Sequence, residues 1–183
     1  MSAGVVHDDD RKLRKILREV AKLRGATVTI GVHGTGGTYP DGQTVAEVAT
    51  IHEFGAGRIP ERSFLRSTVD GNPKPMIEAQ KSAANVCRDL ISARQCAERI
   101  GLVTVGAVKE TILSGIAPPL SQQTIQSRMK KGEHGGGLAS KAGATTPLVD
   151  TGQLIGSITH EVTGARGWGR ASAGTKAGIA GAE

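Results

Sequence analysis

Residues 44–66 read TVAEVATIHEFGAGRIPERSFLR, and the way this stretch divides sets the reading of the chain on either side. Thr44-Val-Ala-Glu47 has the capping-box pattern, in which the Thr hydroxyl and the Glu carboxylate each take a backbone N–H at a helix start. The pattern predicts a helix running to about Phe54 and stopped by Gly55. Val45, Val48, Ala49 and His52 then fall on or near one face. Pro60 disfavours helical geometry at Ile59, so an extended arm is expected after a mobile Gly-Ala-Gly joint. Phe64 and Leu65, at the end of that arm, are expected to plug into a core or into a neighbouring subunit.

His52-Glu53 is also half of a zinc-protease signature. That chemistry needs a second His one helical turn on, so that both imidazoles reach one metal. Position 56 is Ala56, and His7, His33, His134 and His160 are scattered singly. The pair therefore reads as a polar helix end, with the charged form of His52 favoured by the helix C-terminus.

Upstream, residues 26–33 (ATVTIGVH) alternate Val28, Ile30 and Val32, the pattern of a strand buried on one face. Residues 34–42 (GTGGTYPDG) are glycine-rich, but they have neither the Gly-Lys-Ser/Thr ending of a P-loop nor the dinucleotide-binding spacing. They are expected to form a mobile loop. Residues 11–24 (RKLRKILREVAKLR) carry seven of the 23 Lys/Arg and one of the 17 Asp/Glu, so this segment accounts for the whole +6 charge. Leu13, Ile16, Leu17, Val20 and Leu23 share one helical face. Asp8, Asp9 and Asp10 offer N-caps, and Gly25 offers a stop. Arg11, Lys12, Arg14, Lys15 and Arg18 form either a solvated face or a surface for nucleic-acid phosphates.

Downstream, about residues 76–115 form the longest helical region, either one bent helix or two, with the phase interrupted at residues 92–95. One apolar stripe runs through Ala83, Val86, Cys87, Leu90 and Ile91. Another runs through Ala97, Gly101, Val105, Val108, Ile112 and Ile116. Pro118-Pro119 breaks the helix, and Ser121 can cap a short one to about Met129. Residues 130–146 have a flexible-loop composition. Asp150 or Thr151 is placed to cap a short helix from near Gly152. Residues 157–162 (SITHEV) read as a strand. The Gly/Ala-rich end holds at best one more edge strand.

Several function classes lack support. Tyr39, Phe54, Phe64 and Trp168 are the whole aromatic set, which is few for a ligand pocket or a base-stacking platform. Asp150-Thr-Gly152 resembles the catalytic turn of aspartic proteases, but that chemistry needs two such aspartates and hence a homodimer. There is no Gly-x-Ser-x-Gly elbow. Cys87 and Cys96 are expected to be reduced, buried and too far apart on one helix for a disulfide. Neither a membrane span nor a signal-peptide core is present, so a cytoplasmically made, soluble chain is expected.

The order of segments carries a resemblance. A strand (VTIGV, 28–32) precedes YPDGQTVAEVATIHEFG (39–55) and RIPERSFLR (58–66). A long helical region then leads to PPLSQQTIQSR (118–128), a Gly-rich loop and PLVDTGQLIGSITHEV (147–162). Over residues 26–162 this resembles the head–tail joining and tail-completion proteins of tailed bacteriophages. The strongest matches are Ile51–Gly55, Ile59-Pro60 with Phe64–Arg66, Pro119-Leu120 and Leu148–Leu154.

The resemblance implies a non-enzymatic virion protein of the neck, made in the host cytoplasm and assembled as a homo-oligomeric ring, typically sixfold. Its expected partners are connector, tail-tube or tail-terminator proteins and the passing double-stranded DNA. No membrane, metal or cofactor is implied. Ile59, Pro60, Phe64, Leu65, Asp150, Thr151 and Gly152 become candidate subunit-interface residues, and the five cations of the first helix become candidates for facing the DNA channel. The alternatives are a DNA-binding module built on 11–24 and a dimeric aspartic protease using Asp150. The expected fold is α+β, with a small, mainly antiparallel sheet packed on the long helical region and an N-terminal amphipathic helix. The expected organisation is a flexible 1–10, a domain at 11–162 and a Gly/Ala-rich segment at 163–183.

Overall fold

The computed structural model of the chain describes residues 10–34, 36–133, 144–164 and 171–172. The expectations for residues 1–9, for the glycine run at 134–143 and for most of the C-terminal segment lie outside these residues. The chain is an α+β protein: among the described residues, seven helices accompany a small antiparallel sheet.

The longest region is two helices, α4 (Lys74–Cys87) and α5 (Ala93–Leu113), packed on one another. The phase interruption at 92–95 is a second capping box. Ser92 Oγ accepts from the Gln95 N–H at 3.2 Å and Gln95 Oε1 accepts from the Ser92 N–H at 2.9 Å. Before it, Asp89 takes a left-handed φ of 59°, so that its N–H and that of Leu90 close on the carbonyls of Val86 and Asn85. The two cysteines therefore sit on different helices. Cys96 is buried, whereas Cys87 is exposed, because it lies in the last turn of α4 as the chain turns away from its partner helix.

Strand β1 (Thr27–Val32) pairs antiparallel with β2 (Ile158–Thr163), in register from Thr27 opposite Thr163 to Val32 opposite Ile158. A two-residue edge strand, β3 (Ala171–Ser172), pairs with β2. In β2 the alternation is strict: Ile158, His160 and Val162 are buried and face α5. His160 Nε2 lies 2.9 Å from a Glu98 carboxylate oxygen on α5. Its ring rests directly on Gly101, where any Cβ would overlap it. The glycine in the α5 stripe is thus a seat for an imidazole.

The main core gathers Val45, Ala49, Phe64, Val108, Ile112 and Ile158, with Leu148, Val149 and Leu154 closing one side. Helix α2 (Val45–Phe54) carries both halves of the expected capping box, and Gly55 ends it at φ 74°. Phe64, fully buried, fills its own chain's core, so it is not available as an interface residue; Leu65 is half-buried beside it. Helix α3 (Arg66–Gly71) follows at once. Its Thr68 hydroxyl bonds both the Phe64 carbonyl and Thr111 on α5.

Helix α1 (Asp10–Leu23) packs on α4 and α5 but buries none of its residues, and Leu13 and Leu17 are more than half exposed. The one Glu in the basic segment has a specific task. Glu19 accepts the Ala93 N–H at 2.8 Å and so caps the start of α5. Helix α6 (Gln122–Glu133) begins behind Ser121, whose Oγ accepts the Thr124 N–H, and runs past Met129 into the expected loop. The short α7 (Gln153–Ser157) has Gly152 at its N-cap. Asp150 does not cap it. The Thr151 hydroxyl accepts the Gln153 N–H instead, at 3.3 Å.

Gly101→Ala tests the imidazole seat. An exposed helix position would gain up to about 1 kcal/mol from this change. Here forced overlap with His160 should give a net loss of about 1–3 kcal/mol in chemical denaturation. A stabilised variant would contradict the packing described.

Candidate functional site

The candidate site is the place where the quoted motifs meet, and it is built on the end of α2. Val45, Ala49 and Glu53 are spaced by four and form the buried side of that helix. Glu53 is 4% exposed. Its carboxylate accepts from the Leu65 N–H at 2.9 Å, the Arg66 N–H at 3.0 Å, the Ser63 hydroxyl at 2.8 Å and the Arg66 guanidinium at 3.1 Å. It thus supplies the negative charge at the first turn of α3 that no side chain of α3 supplies. Burial alone would raise its pKa, but the two backbone N–H groups, the Ser63 hydroxyl and Arg66 together hold it below the ordinary value. Arg66 also reaches the Glu53 carbonyl and Glu61, and lies 4.7 Å over the Phe54 ring.

The joint between α2 and the arm is closed rather than open. Ala56 and Ile59 exchange both backbone bonds, at 3.1 and 2.9 Å, around Gly57. The expected mobile joint is therefore a tight turn, and it leaves Ile59 and Pro60 on the surface. The Arg62 N–H then bonds the His52 carbonyl at 2.7 Å. The Arg62 side chain is 6% exposed and donates to the Pro118 and Pro119 carbonyls. Arg128 of α6 does the same for the Asp-Thr-Gly segment. It donates to the carbonyls of Thr146 and Val149 and sits 3.7 Å from the Asp150 carboxylate.

These ties bring His52 and Asp150 to one cavity of about 220 Å³, lined also by Tyr39, Asp41, Arg128 and Gly152. Burial first, then Asp150 and Asp41, raises the Tyr39 pKa. The His52 Nδ1 is buried with no hydrogen-bond partner. Burial, then the charges of Arg62 and Arg128, lowers the His52 pKa. This reverses the expectation from the helix terminus: burial and two guanidiniums outweigh the helix dipole, and the neutral ring is favoured. The same cations oppose a metal ion at His52. Among the described residues no three His, Cys, Asp or Glu side chains are grouped to hold one. His33 is tied to Thr159 and His160 to Glu98. Burial, then Glu78, raises the Cys96 pKa, which keeps that thiol protonated and unreactive.

The structure therefore divides the candidate interface residues. Ile59, Pro60, Asp150 and Thr151 are exposed, Leu65 and Gly152 are half-buried, and Phe64 is internal. The basic residues Arg11, Lys12, Arg14, Lys15 and Arg18 are all exposed on α1, remote from the cavity; Arg14 is paired with Asp10 and Lys15 with Asp89. Sequence reading missed Glu53, Arg62 and Arg128. The spacing of Val45, Ala49 and Glu53 was the available signal for the first. The other two bond backbone carbonyls remote in sequence, which no local pattern encodes. No helix among the described residues is long and apolar enough to cross a membrane. Comparison with known protein families, curated proteins and solved structures finds no match to this chain.

The two neighbours at the end of α2 set successive acid responses. His52, with a folded pKa below its reference of 6.5, contributes stability that is present above that pH and falls as the pH drops toward its folded value. Glu53, held below its reference of 4.5, contributes stability that is lost only as the pH falls further. Urea unfolding at pH 7.5, 5.5 and 4 should show both losses, and His52→Gln should flatten only the upper one. An unchanged upper slope in that variant would contradict the assignment. Glu53→Ala, which takes the acceptor from two backbone N–H groups, the Ser63 hydroxyl and the Arg66 guanidinium, should cost on the order of 3 kcal/mol at pH 7.5.

Proposed function

We propose that the chain is a structural subunit of a tailed-phage neck, forming a ring that completes the tail or joins it to the head around the DNA channel. One observation carries the reading. The polar side chains in and around the motifs that resemble neck proteins bind other parts of the same chain. Glu53 holds the arm, Arg62 holds Pro118-Pro119, and Arg128 holds the segment ending at Asp150. A motif set engaged in this way serves to define a subunit's shape. Ile59, Pro60, Asp150 and Thr151 remain on the surface, where a neighbouring subunit or the next tier of the neck can reach them.

The DNA-binding alternative rests on α1. Several of its candidate cations are engaged within the chain: Arg14 pairs with Asp10, Lys15 pairs with Asp89, and Arg18 donates to the Arg14 carbonyl. That leaves a modest, salt-screened attraction, which suits a channel DNA must pass through. The protease alternative rests on Asp150, which here lies beside Arg128.

The test is assembly. Lysates of the encoding phage lacking this chain should accumulate filled heads and separate tails. Adding the purified protein should restore joined, infectious particles. Asp150→Asn should restore them within a few-fold of the unaltered protein. Complete loss with Asp150→Asn, accompanied by uncleaved virion proteins, would favour the protease. Full joining without the protein would contradict the neck role.

A further inference from the structure

Two faces of the molecule fit one another and lie at opposite ends of α5. The first is the outer face of α1. Leu13, Leu17 and Ala21, spaced by four, form one exposed ridge, with Arg14 and Arg18 forming the row beside it. Leu13 is 55% and Leu17 is 57% exposed, although each belongs to an apolar stripe. Contacts to DNA phosphates would engage only the cations of this face and leave the leucines exposed.

The second is the outer face of α2. Ala46, Thr50 and Phe54 form a ridge spaced by four, Glu47 and Ile51 form the next row, and a shallow cleft lies along them. Small residues at Ala46 and Thr50 allow a helix to approach closely. Glu47 and the nearby Asp41 supply the negative charge that Arg14 and Arg18 call for. Ridges spaced by four pack into grooves of the same spacing in the commonest helix-crossing class.

The two faces of one molecule are kept apart. Glu19 fixes α1 to the start of α5 at Ala93, whereas Val45 and Ala49 of α2 share a core with Val108 and Ile112. Along the α5 axis those points are separated by roughly 25 Å. Each copy therefore presents one face of each kind, which is the requirement for head-to-tail association.

We propose that α1 of one copy seats Leu13 and Leu17 on the outer face of α2 of the next copy, with Arg14 and Arg18 against Glu47 and Asp41. This rests on the ring reading above and gives it a specific subunit contact. Ring closure follows if the rotation between copies closes, and a filament follows if it does not.

The test uses the full chain in sedimentation and disulfide trapping. Leu17→Glu and Thr50→Arg alter exposed positions, and circular dichroism melting will show that both variants fold. Each should weaken self-association roughly tenfold or more. Mixed together they should form 1:1 dimers, because each keeps one intact face. In a Cys87→Ser background, Leu17→Cys with Thr50→Cys should give oxidised links between copies that peptide mapping assigns to 17–50. Unchanged association in both variants, or oligomers lacking the 17–50 link, would overturn this contact while leaving a ring intact. A chain that stays monomeric at every concentration would overturn it too, and the joining assay would then judge the neck role separately.

Discussion

The carboxylate of Glu53 is the interaction on which the rest of the arrangement depends. A buried carboxylate is costly unless its lone pairs are filled, and here four donors fill them, all from the segment 63–66. Because two of these donors are the backbone N–H groups of Leu65 and Arg66, the bond fixes where α3 starts and how the chain enters it. That entry places Phe64 in the core between α2 and α5. It also fixes the direction of Arg62, which reaches the two-proline turn after α5. One side chain at the end of α2 thereby sets the course of the arm, the start of α3 and a tie to the two-proline turn.

A second tier of ties repeats the logic with cations. Arg62 and Arg128 donate to backbone carbonyls of segments that lack regular structure of their own, so those segments keep one shape without a strand or helix to hold them. The electrostatic consequence falls on His52, which both guanidiniums influence. A ring that sequence logic would leave charged is pushed toward its neutral form. Glu19 and Glu98 play similar parts at the other end of α5. One caps that helix, and the other pairs with the imidazole that rests on Gly101.

Much of the fold was legible because local chemistry determined it. The capping box at Thr44–Glu47, the stop at Gly55, the alternation in β1 and the stripe through Ala97, Gly101, Val108 and Ile112 each follow from neighbours a few residues apart. The break between α4 and α5 was visible only as a phase slip, although Ser92 and Gln95 spell the same box as Thr44 and Glu47. The candidate site was less legible. His52 attracted attention because of what it resembles, while Glu53, beside it, carries the structure. The partners of Glu53, Arg62 and Arg128 are chosen by tertiary approach, and backbone carbonyls carry no signature in sequence. Of the two residues placed to cap α7, Thr151 supplies the oxygen, while Asp150 lies beside Arg128, a neighbour remote in sequence.

The proposed role makes these ties purposeful. A subunit that must repeat identically around a channel needs loops held in one shape, and this chain holds them by buried charges bonded to backbone. The most direct measurement is an electron cryomicroscopy reconstruction of the neck in particles assembled with this chain. The expected result is a closed ring of this subunit around the DNA, with Phe64 inside each subunit and the arm still bonded to Glu53. A neck whose density contains no copy of the chain, or a chain found only outside the particle, would contradict it.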